Sequence, residues 1–328
     1  MNDPQTLLYM MEGYLAYMRV RNYSLRTVEA HTKMLRRFRH FCEQLGITQA
    51  RQVTRAVILN YQNYLFHHRK KDGNAMTIAT QKHWLGAVKS LFSHLTREGL
   101  VLYNPATDLE LPRNEYRLPK NILTHAEIEA IMNVPDLSTP LGIKDRAMLE
   151  TLYSTGIRRE ELCNLDRGDI DFDREVVRVS QGKGKKDRYV PIGERAVRWI
   201  EKYLTDSRAW FCPSINEAAL FVGTTGQRMT TNRLSAKVHA IIDKAEIGKT
   251  GSCHLFRHAF ATALLENGCD LRHIQAMLGH SSLEATEIYT HVSIKELKKA
   301  HERCHPARMP ESITQADCIS AATVGRCN

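Results

Sequence analysis

The 328-residue sequence predicts a mainly α protein of two domains with one small β-sheet. Three observations predict it. Apolar residues recur at helical spacing through the first hundred positions and through most of the second half. Residues 169–192 instead read as short strand-like runs around Gly182 and Gly184. Residues 104–122 set three prolines and alternating charges between two helical patterns, the composition of an interdomain linker. A chain of this length can bury substantial cores, and size alone favours two domains over one.

The first domain reads as about four helices packed as a bundle. Leu7, Met11, Tyr14, Leu15 and Met18 share one helical face, and Leu35, Phe38, Phe41 and Leu45 form a second. Val57, Tyr61, Tyr64 and Leu65 form a third, and Leu85, Val88, Leu91, Phe92 and Leu95 a fourth. Ser24 is placed to cap the second helix. After the linker, Thr124 and Glu127 have capping-box spacing ahead of a helix near 128–132, and a further helix covers about 141–154. The segment TGIRREEL, residues 155–162, opens another helix after Gly156. The strand-like stretch 169–192 reads as a β-hairpin or small meander, with Lys183, Lys185, Lys186 and Arg188 at or near its tip. Helices resume at ERAVRWIEKYL, residues 194–204.

The formal charge of +10 suits a polyanionic partner. Its distribution is more telling. Residues 1–120 carry 18 Lys and Arg against 9 Asp and Glu, a net of +9, whereas residues 121–328 carry 28 against 27, a net of +1. Charge runs are commonly solvated helix faces. Here Arg36, Arg37 and Arg39, then Arg69, Lys70 and Lys71, then Lys82 and Lys89 follow with few acids between, as suits contact with phosphates across a groove. The eight cysteines include no CxxC pair, so neither a zinc knuckle nor a redox motif is indicated and a reduced, cytosolic protein is expected. No segment approaches 18 uninterrupted apolar residues, and the N-terminus lacks the pattern of an export signal, so no membrane role is expected.

The most specific signal is HLFRH at 254–258, LGH at 278–280 and IYTH at 288–291. His254 and Arg257 stand one helical turn apart and can share a face. Gly279 is a helix stop that can return His280 toward that face. Tyr289 lies in a polar segment between Thr286 and Thr290, where a phenol can be exposed. Histidine, arginine and tyrosine together are the side chains needed to attack a phosphodiester. Taken singly each is ordinary: a helical histidine is usually structural, as is expected of His258, and a tyrosine is usually packing. Cys253 beside His254 invites a metal reading, but His254 and His258 lack an intervening glutamate and a third ligand within reach, so no metal or cofactor is expected.

The order of the arginine in TGIRREEL, the lysine in GKGKKDR, then HLFRH, LGHSS and IYTHV closely resembles the tyrosine recombinases, and the flanking phrases are most similar to the Xer branch. The resemblance spans about residues 8–306, including NPA before the linker and CHP at 304–306. It implies a SAM-like helical core-binding domain at 1–110, a linker at 111–122, a catalytic domain at 123–308 and a tail at 309–328 expected to be disordered, the two domains closing round DNA as a clamp. It implies that Arg158 and Arg257 clamp the scissile phosphate and that Tyr289 attacks it to form a 3′-phosphotyrosyl link. His254 is then the proton acceptor, His280 orients or hydrogen-bonds the phosphate, and Lys183 protonates the leaving 5′-oxygen, with Lys185 and Lys186 as competitors. Neither metal nor ATP is needed. Arg36, Arg37, Lys82, Lys89, Lys185 and Arg188 are the expected DNA contacts.

Arg159 stands where the Xer pattern has an apolar residue and is expected to be a surface charge. Glu160 and Glu161 read as a salt bridge and helix start, with Glu161 also placed to hold Arg158. The family implies a double-stranded DNA site and a tetrameric synapse, of this chain alone or with a paralogous recombinase, each protomer passing a terminal helix from residue 294 to its neighbour. The implied location is cytoplasmic, at the nucleoid. With only 61 residues between Ile192 and His254, the insertion of an integron integrase is not expected. Dimer resolution and a role in a mobile element both remain open, the extra tail leaning toward the latter. A type IB topoisomerase-like activity and a non-catalytic DNA-binding protein are the alternatives.

Overall fold

The computed structural model describes residues 3–70, 72–112, 121–180, 187–212 and 217–279. The chain divides into two compact units, Met1–Tyr116 and Arg117–Asn328.

In the first unit four α-helices carry the core: α1 (Leu7–Val20), α2 (Leu25–Gln44), α3 (Arg55–His67) and α4 (Ile78–Arg97). Ser24 and Thr77 cap α2 and α4, each accepting a hydrogen bond from the backbone three residues on, the groups that a helix start leaves without partners. The expected faces of α1 and α4 are buried in one cluster around Phe38, Tyr61 and Phe92. One position differs. Leu45 is 51% exposed because α2 has ended at Gln44 and Leu45 is its cap. On α3 the fully buried stripe is Ile58, Tyr61 and Leu65, at the three-then-four spacing of one helical face, with Val57 and Tyr64 half-buried and packed against the same core.

The second unit is built on α6 (Pro140–Thr155), a helix buried nearly all round. Packed against it are α5 (His125–Met132), the short α7 (Arg159–Asn164), α8 (Glu194–Lys202), α9 (Arg208–Phe211) and α11 (Cys253–Glu266), while α10 (Thr231–Lys244) lies against α5, α7 and α11, and α12 (Leu271–Leu278) against α11. The Thr124–Glu127 capping box opens α5. Two of the buried charges on α6, Arg146 and Glu150, are tolerated because they are paired. Arg146 donates to Glu150 at 2.9 Å and to the Met132 carbonyl at 2.6 Å, and Glu150 accepts from Arg195 at 2.9 Å.

The stretch 169–192 forms an antiparallel meander of β1 (Ile170–Asp171), β2 (Val176–Val179) and β3 (Arg188–Pro191). Val177 faces Val190, and both are fully buried with Val179, while Arg178 and Tyr189 point outward. The connection between β2 and β3, with Lys183, Lys185 and Lys186, lies outside the described residues. So do His280, Tyr289, the segment from 294 and the tail 309–328.

Candidate active site

Two glycines organise the site. Gly156 ends α6 in the left-handed conformation at φ +59°, and a Cβ there would lie 2.3 Å from the Phe260 ring. Gly279 ends α12 at φ +63°, and a Cβ there would lie 3.0 Å from the Arg188 guanidinium. Each stop leaves carbonyls at a helix C-terminus with no partner inside the helix and with the negative end of the helix dipole. Arginines fill those positions.

Three successive carbonyls at the end of α12, the last that of its cap Gly279, accept from three different guanidiniums. Arg188 Nε donates to Met277 at 2.9 Å, Arg257 Nη2 to Leu278 at 2.7 Å, and Arg158 Nη2 to Gly279 at 3.1 Å. Arg257, 5% exposed, also donates through Nη1 to the Gly156 carbonyl at 2.7 Å, so one side chain ties the ends of α6 and α12 together. Residues about a hundred positions apart in the chain are thereby set side by side.

Arg158 is the residue before the first turn of α7. Its backbone N–H donates to Glu161 Oε2 at 2.7 Å, and its Nη1 to Glu161 Oε1 at 2.8 Å. Glu161 is buried, and Arg188 donates to it twice, at 3.0 and 2.8 Å. Burial raises the Glu161 carboxyl, but the bonds from Arg188 and Arg158 outweigh it and hold the group below its ordinary value. Glu161 thus holds Arg158, as its spacing allowed. Arg188, expected to contact DNA, is instead folded inward, its side chain only 13% exposed and its donors on Glu161 and Met277. Sequence position near a basic hairpin tip gave no sign of this, because strand β3 turns that side chain toward α7.

His254 projects from the first turn of α11 and is exposed. Its imidazole is held below its usual value by desolvation, then by the cations Arg159, Arg257 and Arg158. It is therefore neutral at neutral pH. Arg159, expected to be a surface charge, is half-buried, donates from Nη1 to Ser235 Oγ at 3.0 Å on α10, and acts most strongly of the three cations on His254. The start of α11 is fastened to the same place, since Ser252 Oγ donates to the Ser235 carbonyl at 2.9 Å. The described part of the site thus combines two fixed guanidiniums, a neutral imidazole and the α12 terminus that leads into His280. Such a set can bind an anion and accept a proton. Among the described residues no group of three or more His, Cys, Asp or Glu is arranged to hold a metal ion, and no helix is long and apolar enough to cross a membrane.

In the first unit, two adjoining grooves of about 480 Å³ each share His31, Gly86 and Ser90, one running between α2 and α4 and the other between α1 and α4. Lys82 lines one and Lys89 the other, Lys89 also donating to the Thr107 carbonyl at 3.3 Å. Arg36 is exposed, and Arg37 stacks over Trp84 at 4.7 Å. Arg26, His83 and Arg97 also line the grooves, and sequence reasoning passed over them because each stands outside a basic run.

Residues 121–296 match the phage integrase family, and residues 10–100 match the N-terminal SAM-like domain of phage integrases. Tyrosine recombinase XerC 2 of Ralstonia nicotianae is 45% identical over 313 residues, covering 95% of this chain and 90% of that protein. Tyrosine recombinase XerD of Yersinia pestis is 42% identical over 223 residues, covering 68% of this chain and 74% of that protein. Among solved structures, the post-cleavage complex of the XerH site-specific recombinase with a palindromic difH substrate matches in fold, with a TM-score of 0.69 and 23% identity over 89% of this chain and 83% of that one.

Proposed function

The chain belongs to the phage integrase family as a tyrosine recombinase similar to the Xer proteins, and on that premise we propose which of its residues carry out strand exchange. It is a site-specific recombinase that acts on DNA, cleaving and rejoining strands. Arg158 and Arg257 bind the two non-bridging oxygens of the scissile phosphate. Fixed guanidinium donors stabilise the charge that builds in a pentavalent transition state and need no reorganisation as it forms. The observation that carries this reading is the fastening of both arginines to the end of α12, at the two residues before His280.

Tyr289 supplies the nucleophile. Its oxygen forms the bond to phosphorus, the bond to the 5′-oxygen breaks, and a 3′-phosphotyrosyl link results. The phenol proton goes to His254, whose depressed affinity for protons leaves it free to accept one at neutral pH. Lys183 gives a proton to the departing 5′-oxygen, with Lys185 close by as a DNA contact, and His280 holds a phosphate oxygen. Attack by the 5′-hydroxyl of another strand reverses the step and releases Tyr289, so no external energy source enters.

On this reading residues 1–110 are the DNA-binding domain, 111–122 the linker and 123–308 the catalytic domain, closing round duplex DNA as a clamp. Arg36, Arg37, Lys82 and Lys89 meet phosphates, joined by Arg26 and Arg97 of the same grooves. Synapsis is tetrameric, of this chain alone or with a paralogue, through the segment from residue 294. The duty is resolution of replicon dimers or movement of a mobile element, carried out at the nucleoid.

The test is a covalent trap. Incubation with nicked duplexes from the flanking genomic DNA should give an adduct that survives denaturation and disappears in Tyr289→Phe. An adduct that persists in that variant would remove Tyr289 as the nucleophile.

A further inference from the structure

We propose that Arg188 is a positioning residue that neutralises the Glu161 carboxylate, so that Glu161 can orient Arg158 without cancelling the charge Arg158 presents to the scissile phosphate. The inference deepens the proposed function and rests on it.

A carboxylate is an effective holder for a guanidinium, because two oxygens and a fork of donors fix both position and plane. It is also a poor neighbour for a phosphate clamp. An arginine paired one-to-one with a carboxylate carries no net charge, and its field falls away as that of a dipole. Glu161 contacts Arg158 through both of its oxygens, by the backbone N–H at 2.7 Å and by Nη1 at 2.8 Å. With that pair alone, half of the clamp would be electrostatically silent.

The structure places a second guanidinium on the same carboxylate. Arg188 Nη1 donates to Oε1 at 3.0 Å and Nη2 to Oε2 at 2.8 Å, so Glu161 is held by two arginines at once. The cluster of Arg158, Glu161 and Arg188 then carries a net charge of +1. Arg188 cannot supply that charge by reaching the DNA itself. Its remaining contact, Nε to the Met277 carbonyl at 2.9 Å, turns it toward the end of α12, and its side chain is 13% exposed. Gly279 leaves the space it occupies, since any Cβ there would press on the guanidinium at 3.0 Å. The positive charge therefore appears at Arg158, the member of the cluster that is more open, at 22% of its side chain.

The experiment uses the full-length chain and the nicked duplex on which the wild type forms its adduct, prepared with either an ordinary scissile phosphate or a methylphosphonate, which lacks the negative charge. Wild type, R188M, R188Q and R188K are compared for the rate of adduct formation on both, with a thermal melt of each. R188M should lose roughly tenfold or more on the phosphate, the scale of one unit charge acting at an effective dielectric of about 20. It should stay within about twofold of wild type on the methylphosphonate, where there is no charge left to stabilise. R188K, which restores the charge, should recover much of the phosphate rate. R188Q keeps an amide donor for Glu161 and carries the same comparison if R188M does not fold. Equal losses on the two substrates, or no loss on either, overturn the inference while leaving the recombinase reading intact. A wild-type chain that forms no adduct on phosphate DNA overturns that reading and the inference with it.

Discussion

Replacing Gly156 by alanine adds one methyl group where α6 stops and the chain turns into Arg158. The residue sits at φ +59°, a left-handed conformation that costs a non-glycine residue about 1–2 kcal/mol. The new Cβ would also stand 2.3 Å from Phe260 Cδ1, an overlap that only a shift of the ring or the backbone relieves. Phe260 is 8% exposed and belongs to the cluster with Ala261, Ile274 and Leu278, so overpacking there adds about 1–3 kcal/mol. Together these predict a loss of about 2–5 kcal/mol in the second unit, or a fall in its melting temperature of roughly 4–20 °C. Function should fall further than stability. The Gly156 carbonyl holds Arg257 Nη1 at 2.7 Å, and a shifted turn misplaces both that arginine and Arg158. The assay is a thermal melt of the full-length chain beside the rate of covalent adduct formation at a temperature where the variant is folded. Adding Phe260→Leu, which makes room for the methyl group, should recover part of the loss. A variant that melts within about 2 °C of wild type and forms adduct at the wild-type rate would refute the account of how this turn is fixed.

Glu161→Gln should destabilise the second unit by about 3–5 kcal/mol at neutral pH, since it leaves two cations beside a neutral amide. Because the Glu161 carboxyl is depressed in the folded protein, its contribution is present above the ordinary carboxylate value of about 4.3 and is lost as pH falls through the lower folded value. The gap between wild type and variant in urea unfolding should therefore be constant from neutral pH to about pH 5 and narrow in more acid solution; a gap that stays constant through strong acid would contradict it. Arg159→Val removes a cation acting on His254 and should raise its affinity for protons, so the acid limb of the single-turnover cleavage rate should move up toward the ordinary histidine value of about 6.5. An unmoved limb would mean that Arg159 does not act on the base. Lys82→Ala and Arg26→Ala should each weaken DNA binding and reduce the slope of log affinity against log salt by about 1. Anisotropy titrations at several salt concentrations read this directly, and an unchanged slope would take those residues off the phosphates.

Much of the secondary structure was legible because local rules set it. Ser24 and the Thr124–Glu127 pair announce helix starts through hydrogen bonds that reach only three residues along the chain, and both are made as expected. The faces of α1 and α4 follow from periodicity alone. Boundaries and faces were less legible where one residue decided the matter: Leu45 is a cap rather than a core residue, and Ile58, not among the expected residues, is the fully buried start of the α3 stripe beside half-buried Val57. In the site, Arg158, just before α7, acts on His254 of α11 together with Arg257, and Glu161 holds Arg158. The surroundings of Arg159 and Arg188 are not legible from their neighbours in sequence, because Ser235 and Glu161, the partners that orient them, lie 76 and 27 residues away.

The sequence by itself determined that this is a mainly helical, DNA-directed recombinase with its basic excess in the first domain, because helical periodicity, charge and an ordered set of motifs are all properties of residue type and spacing. Only the tertiary structure decided what each arginine touches. A guanidinium is the same cation whether it meets solvent, a buried carboxylate or the end of a helix, and its role depends on which of these lies within about 3 Å, the reach of a hydrogen bond. Here the two left-handed glycine stops bring the free carbonyls of α6 and α12 to Arg158, Arg188 and Arg257, and that meeting of distant segments gives the three arginines their different partners.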